Sequence, residues 1–181
     1  ELLDGTRRSG RAPNVHTCDR VINVCAKGVE SQRALNLLDE MRSRGLVPDE
    51  ITYSSVIDAC AKGGEWQRAL NLLDEMRRCG LVPDEITYNS VINACAKGDQ
   101  WQRALNLLDD MRSHGLVPDE ITYNSVIHAC AKGGESQRAL NLLDEMRSRG
   151  LVPDVITYNS GINACAKGDE WQRALNLLDE M

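Results

Sequence analysis

ITYNSVINACAKGDQWQRALNLLDDMRSHGLVPD, residues 86–119, decides the fold, because almost the same letters stand at 51–84 and 121–154. Tyr53, Tyr88, Tyr123 and Tyr158 recur every 35 residues, and so do Pro48, Pro83, Pro118 and Pro153. A fixed period of this size marks a repeat array. Within one copy, Tyr53, Val56, Ile57 and Cys60 fall at i, i+3, i+4 and i+7, one face of a helix. Lys62-Gly63 ends that helix, with Gly63 expected as a left-handed cap. Trp66, Ala69, Leu70, Leu73 and Met76 repeat the helical spacing for a second helix. Asp99 and Asp169 are expected as its N-caps in sibling copies, with Gln102 in capping-box register. Gly80 and Pro83 then stop the chain. Each apolar stripe is too narrow to form a core alone, so neighbours must stack. The predicted fold is all-α, a right-handed α-solenoid of stacked 35-residue helical hairpins.

Registering the period over the whole chain divides it. Residues 1–14 align with 36–49 and read as the partial second helix of a degenerate preceding repeat. A degenerate repeat follows at 15–49, then repeats at 50–84, 85–119 and 120–154, and a truncated repeat at 155–181. The stretch therefore reads as an excerpt of a longer array, with any targeting segment out of view.

Among 181 residues, 42% are hydrophobic and 27% charged, a composition that folds. No apolar run approaches the roughly 20 residues of a membrane span. The net charge of −6 gives no bulk basic footprint, so any nucleic-acid binding must come from local charge placement. Cys25, Cys60, Cys95, Cys130 and Cys165 recur with the period and form no C-x-x-C pair. They are expected as small, reduced core residues, which suggests an intracellular setting. No metal or cofactor is expected.

The 35-residue, two-helix unit with its TYN, ALxLLDEM and GLVPD elements closely resembles the pentatricopeptide repeat, in a P-type array of near-consensus repeats covering essentially the whole chain. The resemblance implies sequence-specific single-stranded RNA binding, one base per repeat. It implies reading pairs formed by the residue after the helix-A Tyr and the last residue of the unit. These are Ser54 with Asp84, Asn89 with Asp119, and Asn124 with Asp154; Asn159 occupies the same position in the truncated repeat. It also implies base clamping by Ile51, Ile86, Ile121 and Ile156, and phosphate contacts by Lys62, Lys97, Lys132 and Lys167. By the family's correspondence, repeats 50–84, 85–119 and 120–154 read G-U-U from 5′ to 3′. Family members usually work in mitochondria or chloroplasts, in organelle RNA processing. Flanking regions outside this stretch are left as a route to protein partners.

The residues themselves keep blander readings open. Each Asp follows Pro and precedes a helix, so N-capping alone explains that column. A Lys near a helix C-terminus is favourable by roughly 0.3–1 kcal/mol without any RNA. Ser54 in place of Asn is either drift or a different letter. The unit at 15–49 departs further: Asp19 faces Asp49, His16 replaces Ile and Cys18 replaces Tyr, so it is assigned no base. Gly161 in place of Val weakens its helix by up to ~1 kcal/mol. Adjacent carboxylates such as Asp109-Asp110 read as a solvated helix face. No phosphate loop, H-E-x-x-H or nucleophile elbow is present, so no enzyme and no small-molecule substrate are expected. The competing reading is a protein-binding helical-repeat adaptor or scaffold.

Overall fold

A computed structural model describes residues 14–181; the partial helix expected at 1–14 lies, apart from Asn14, outside them. The described residues form ten helices and no strand. They are α1 (Val15–Lys27), α2 (Ser31–Ser43), α3 (Glu50–Lys62), α4 (Trp66–Arg78), α5 (Glu85–Lys97), α6 (Trp101–Ser113), α7 (Glu120–Lys132), α8 (Ser136–Ser148), α9 (Val155–Lys167) and α10 (Trp171–Glu180). Odd-numbered helices correspond to the first helix of the repeat and are called A helices; even-numbered ones are B helices. Two compact units divide the chain, one ending at Thr87 and the other starting at Tyr88.

In the first unit, α1 packs on α2 and α3, α2 on α3, and α3 on α4. The predicted A-helix stripe is its core: Tyr53, Val56, Ile57 and Cys60 are buried against Leu37, Leu38 and Met41. In the second unit, α7 packs on α6, α8 and α9, and α9 on α8 and α10, again with Tyr123, Val126, Ile127 and Cys130 inside. Each fully buried aliphatic side chain contributes about 1.5–3 kcal/mol. The B-helix stripe is displaced from the predicted one. Ala69, Leu72, Leu73 and Met76 are buried, while Trp66 and Leu70 are only half-buried. α8 lies between α7 and α9, and its buried arc widens to Ala139, Leu140, Leu142, Leu143 and Met146. The periodic cysteines are free and buried, and burial pushes the Cys60 and Cys130 thiols up to about 11.

The turn inside each hairpin corrects two expectations. Gly63 has φ −74°, and the left-handed residue is the next one, Gly64, at φ +75°. At the equivalent position Asp99 and Asp169 have φ 58° and 56°, so neither is an N-cap. The N-caps are Gln100 and Glu170, without side-chain cap hydrogen bonds, and the box expected through Gln102 does not form. The reason is hairpin closure: the residue after the left-handed one donates its N–H to the A-helix Cys carbonyl, as Gln100 does to Cys95 at 2.8 Å. α9 continues through Gly161, whose missing side chain leaves space that methyl groups of Leu177 and Leu143 approach.

Val29 occupies the same left-handed position at φ 60°, where a β-branched side chain is strained by about 1–3 kcal/mol. Val29→Gly should therefore raise stability by about 1 kcal/mol in chemical denaturation, after the entropy a glycine adds to the unfolded chain. Asp99→Gly should gain less, since Asp tolerates this conformation better.

Candidate nucleic-acid interface

The predicted reading residues gather at the N-termini of the A helices, and helix capping places them. The first turn of a helix leaves N–H groups without partners. At α3, α7 and α9 an Asp supplies the acceptor: Asp49, Asp119 and Asp154 each take the backbone N–H of the Thr three residues on. Asp84 does the same for Thr87 at 2.8 Å. The Thr hydroxyl lies within hydrogen-bond distance of the same carboxylate, at 3.0 Å for Thr52, 2.6 Å for Thr87, 2.8 Å for Thr122 and 2.9 Å for Thr157. The capping reading of the Asp column therefore holds. All of these bonds fall on Oδ1, and Oδ2 of each Asp makes no hydrogen bond among the described residues. One oxygen caps the helix and the other is left toward solvent.

The residue after each Tyr comes to this cap from the preceding hairpin. Asn89 Nδ2 lies 3.3 Å from Asp119 Oδ1, and Asn89 Oδ1 accepts from the Thr122 hydroxyl at 2.6 Å. Asn124 Oδ1 likewise accepts from the Thr157 hydroxyl, beside Asp154. Two of the three sequence-predicted pairs are thus brought together. Ser54 and Asp84 are not bridged; Ser54 is half-buried and makes no hydrogen bond among the described residues. Asn159 is exposed and likewise has none. Sequence reasoning missed the Thr column, Thr52, Thr87, Thr122 and Thr157, although Asp-x-x-Thr ahead of each apolar stripe is a cap signature.

Ile51, Ile86, Ile121 and Ile156 stand in the first turns of the A helices, 61%, 67%, 63% and 61% exposed. Most of each of these aliphatic residues lies outside the core. The lysines sit at the opposite ends of the A helices, about 16 Å away along the axis at 1.5 Å per residue. Lys62 pairs with Asp58 at 2.6 Å. Lys132 reaches Asp99 at 2.7 Å and the Lys97 carbonyl at 3.3 Å, and Lys167 reaches the Lys132 carbonyl at 2.8 Å. The bland reading of a cation at a helix C-terminus is thus realised for Lys132 and Lys167, while both remain exposed.

Part of the acidic charge lies elsewhere, in ladders along the B helices. Arg42 donates to Tyr53 at 2.8 Å and pairs with Glu75 at 2.5 Å. Arg112 joins Tyr123 and Glu145 at 2.8 and 2.7 Å, and Arg147 joins Tyr158 and Glu180. Glu75 is thus a rung between B helices.

The repeat geometry can now be set beside known proteins. A family model described as the pentacotripeptide-repeat region of PRORP matches residues 2–159, and a PPR repeat model matches 149–181. The chain belongs to the pentatricopeptide-repeat family. It is similar to the maize pentatricopeptide repeat protein PPR10, with 35% identity and a TM-score of 0.75, covering 99% of this chain and 26% of that one. PPR10 in complex with an 18-nt psaJ RNA element matches at 32% identity and TM-score 0.77, covering 95% of this chain and 25% of that one. The PPR domain of Arabidopsis thaliana protein-only RNase P 1, in complex with tRNA, shares the fold at TM-score 0.78 and 18% identity, covering 89% of this chain and 85% of that one. The chain thus spans about a quarter of the maize protein's structure. A comparison with curated protein sequences gave no match. The all-α solenoid class read from the period is the class of these structures. None of the described helices is long and apolar enough to cross a membrane.

The degenerate hairpin gives a sharp electrostatic contrast. Asp19 takes the place of Asn89 and accepts from Thr52 at 2.7 Å, but it is only 7% exposed. Burial raises its pKa, Asp49 adds to the rise, and the Thr52 hydrogen bond opposes it. A carboxyl raised in the folded state favours folding when protonated and loses that advantage as pH rises past the ordinary Asp range. Asp19→Asn should therefore raise the melting temperature at pH 7, with the gain shrinking as pH is lowered toward 4. Asp119 behaves oppositely. Burial pushes it up, but hydrogen bonds from Thr122 and Asn89 outweigh burial and hold it below the usual carboxylate range. Its stabilisation is present at neutral pH and is lost on acidification, and Asp119→Ala should cost about 1 kcal/mol at pH 7.

Proposed function

We propose that this chain binds single-stranded RNA, one base per 35-residue hairpin, through Ser54/Asp84, Asn89/Asp119 and Asn124/Asp154. The observation that carries the reading is the junction of Asn89 with Asp119. Two polar side chains from successive hairpins are held side by side at a helix N-terminus, with one carboxylate oxygen unengaged. An exposed isoleucine in the same turn offers an apolar surface for a base. Two structures in which relatives are named in complex with RNA support the same class of ligand. Repeats 50–84, 85–119 and 120–154 read G-U-U from 5′ to 3′. Residues 15–49 read no base, because buried Asp19 beside Asp49 offers two carboxylates and His16 replaces the isoleucine. The truncated repeat at 155–181 keeps Asn159 without a partner in this chain.

Lys62, Lys97, Lys132 and Lys167 contact phosphates, for which Lys132 and Lys167 exchange their carbonyl partners for the backbone of the ligand. The module acts by binding and not by catalysis. Residence in an organelle follows from the family resemblance alone.

Three bases at ~1–3 kcal/mol each, less the ordering cost of association, give a weak complex, about micromolar or weaker. Titration with short RNAs centred on GUU, GGU and UUU at low salt tests the assignment. Ser54→Asn should move preference at the first base from G to U with the melting temperature unchanged; a flat base preference ends the reading-pair hypothesis. With four lysines on phosphates, log K should fall against log salt with a slope of about −3, from ~0.7 per contact on a single strand.

A further inference from the structure

Three threonine hydroxyls each have two acceptors within reach. Thr52, Thr122 and Thr157 close the cap of their own helix through the preceding Asp. Each also reaches back 33 residues, to the side chain at the reading position of the hairpin before. Thr122 Oγ1 lies 2.6 Å from Asn89 Oδ1 and 2.8 Å from Asp119 Oδ1. A hydroxyl has one hydrogen to give, so the shorter contact ties the cap to the amide. Thr87 is the exception. Its hydroxyl donates to Asp84 at 2.6 Å, and Ser54, whose side chain is one bond shorter than that of Asn, does not meet it.

This arrangement leaves Asn89 one orientation. Its carbonyl oxygen faces a hydroxyl and its NH2 group faces a carboxylate oxygen. A half-turn of the amide would set two acceptors against each other and turn the NH2 group onto the hydroxyl. We propose that Thr122 and Thr157 are positioning residues for base recognition. Each locks the orientation of the Asn89 or Asn124 amide, so that the carbonyl stays turned to the hydroxyl and the asparagine meets its base with the NH2 group. The inference rests on the reading-pair function and deepens it by naming what the pair rejects.

A locked donor beside a carboxylate acceptor fits an edge that sets a carbonyl next to a ring N–H, as uracil does. With the ring held in place, cytosine inverts both groups, presenting an amino group where uracil has the carbonyl and a bare nitrogen where uracil has N–H. An amide free to flip could accept from that amino group and tolerate cytosine; a locked one cannot. The hydroxyl therefore separates uracil from cytosine without touching either. At Ser54 no such lock exists, and Thr87 serves the cap alone.

The test uses the full chain with Thr122→Val, which keeps the shape and removes the hydroxyl, Thr122→Ser, which restores it, and Thr87→Val. Thr87→Val loses the same cap partner without an asparagine behind it. Binding is measured to single-stranded RNAs with uracil or cytosine facing Asn89 or Asn124, and with each base facing Ser54. Order of the Asn89 side-chain NH2 group is followed by 15N relaxation in the free protein. Wild type and Thr122→Ser should prefer uracil at Asn89 by about tenfold, with an ordered amide. Thr122→Val should lose that preference at this base only and show a mobile amide. Thr87→Val should lower the melting temperature comparably yet leave base choice at Ser54 unchanged. The proposal is overturned if Thr122→Val keeps the uracil preference, or if Thr87→Val shifts base choice as strongly, which would make it a capping effect. An amide equally ordered with and without the Thr122 hydroxyl also removes the lock, with or without RNA. If wild type shows no base preference while the amide is ordered by Thr122, the reading-pair function fails and the hydroxyl is left with a purely structural role.

Discussion

The unmet N–H groups at the start of every A helix are the constraint on which the rest of the structure depends. A helix end buried against neighbours must find acceptors. This sequence supplies one with an Asp that its Pro neighbour delivers in extended conformation, at φ −101° and ψ −175° for Asp119. The hairpin period sets that Asp, and the Thr that completes the cap, against the A helix of the hairpin before, at the residue following its buried Tyr. On the proposed reading, folding chemistry and recognition chemistry share one carboxylate. The capping oxygen fixes its position, and the fixed position is what lets the other oxygen act as a defined acceptor.

The period, the A-helix stripe and the hairpin were legible in the sequence because each is written as a spacing of apolar residues. What was not legible turned on backbone closure and on contacts between hairpins. Asp99 looks like an N-cap because it precedes a helix, yet closing the tight turn needs a left-handed residue there, and Gly64 and Gly134 mark that need in sibling copies. The glycine pair in AKGG carried the signal, but one position later than a simple C-cap reading placed it. Leu72 is buried and Leu70 half-buried, so the buried arc of the B helix is offset from the one the spacing predicts. At the site, the Asn and Asp columns were picked out by the family resemblance. The threonines were not singled out, since a small residue next to a recurring tyrosine reads as filler until its hydroxyl is seen to reach back to the preceding hairpin.

The charge balance follows from the same division of labour. A net charge of −6 argues against nucleic-acid binding only if the charges are mixed over the surface. Glu75, Glu145 and Glu180 are instead paired with arginines of neighbouring B helices, beside the tyrosine hydroxyls. Exposed ion pairs of this kind contribute little each. Their repetition along the B helices nevertheless assigns these carboxylates partners within the protein. The lysines end the A helices, where the helix dipole already favours a cation. Lys62 and Lys132 already face the carboxylates of Asp58 and Asp99, so in the proposed complex a phosphate would compete with those carboxylates as well as with backbone carbonyls.

Asp19 shows how separable fold and recognition are in this architecture. It accepts from Thr52 as Asn89 accepts from Thr122, at 2.7 and 2.6 Å, so the hairpin stacks in the same way. The difference is a single group, NH2 against O. Beside Asp119 the amide donates, which helps hold that carboxylate below its ordinary pKa. Beside Asp49 the carboxylate can only repel, and together with burial this drives Asp19 toward its protonated form. The packing tolerates either group because the accepting oxygen is retained in both. The proposed recognition does not, because the donor edge is gone. On the proposed reading, a substitution that preserves the oxygen would silence a hairpin as a reader while keeping its contact with the next cap, as Asp19 keeps Thr52.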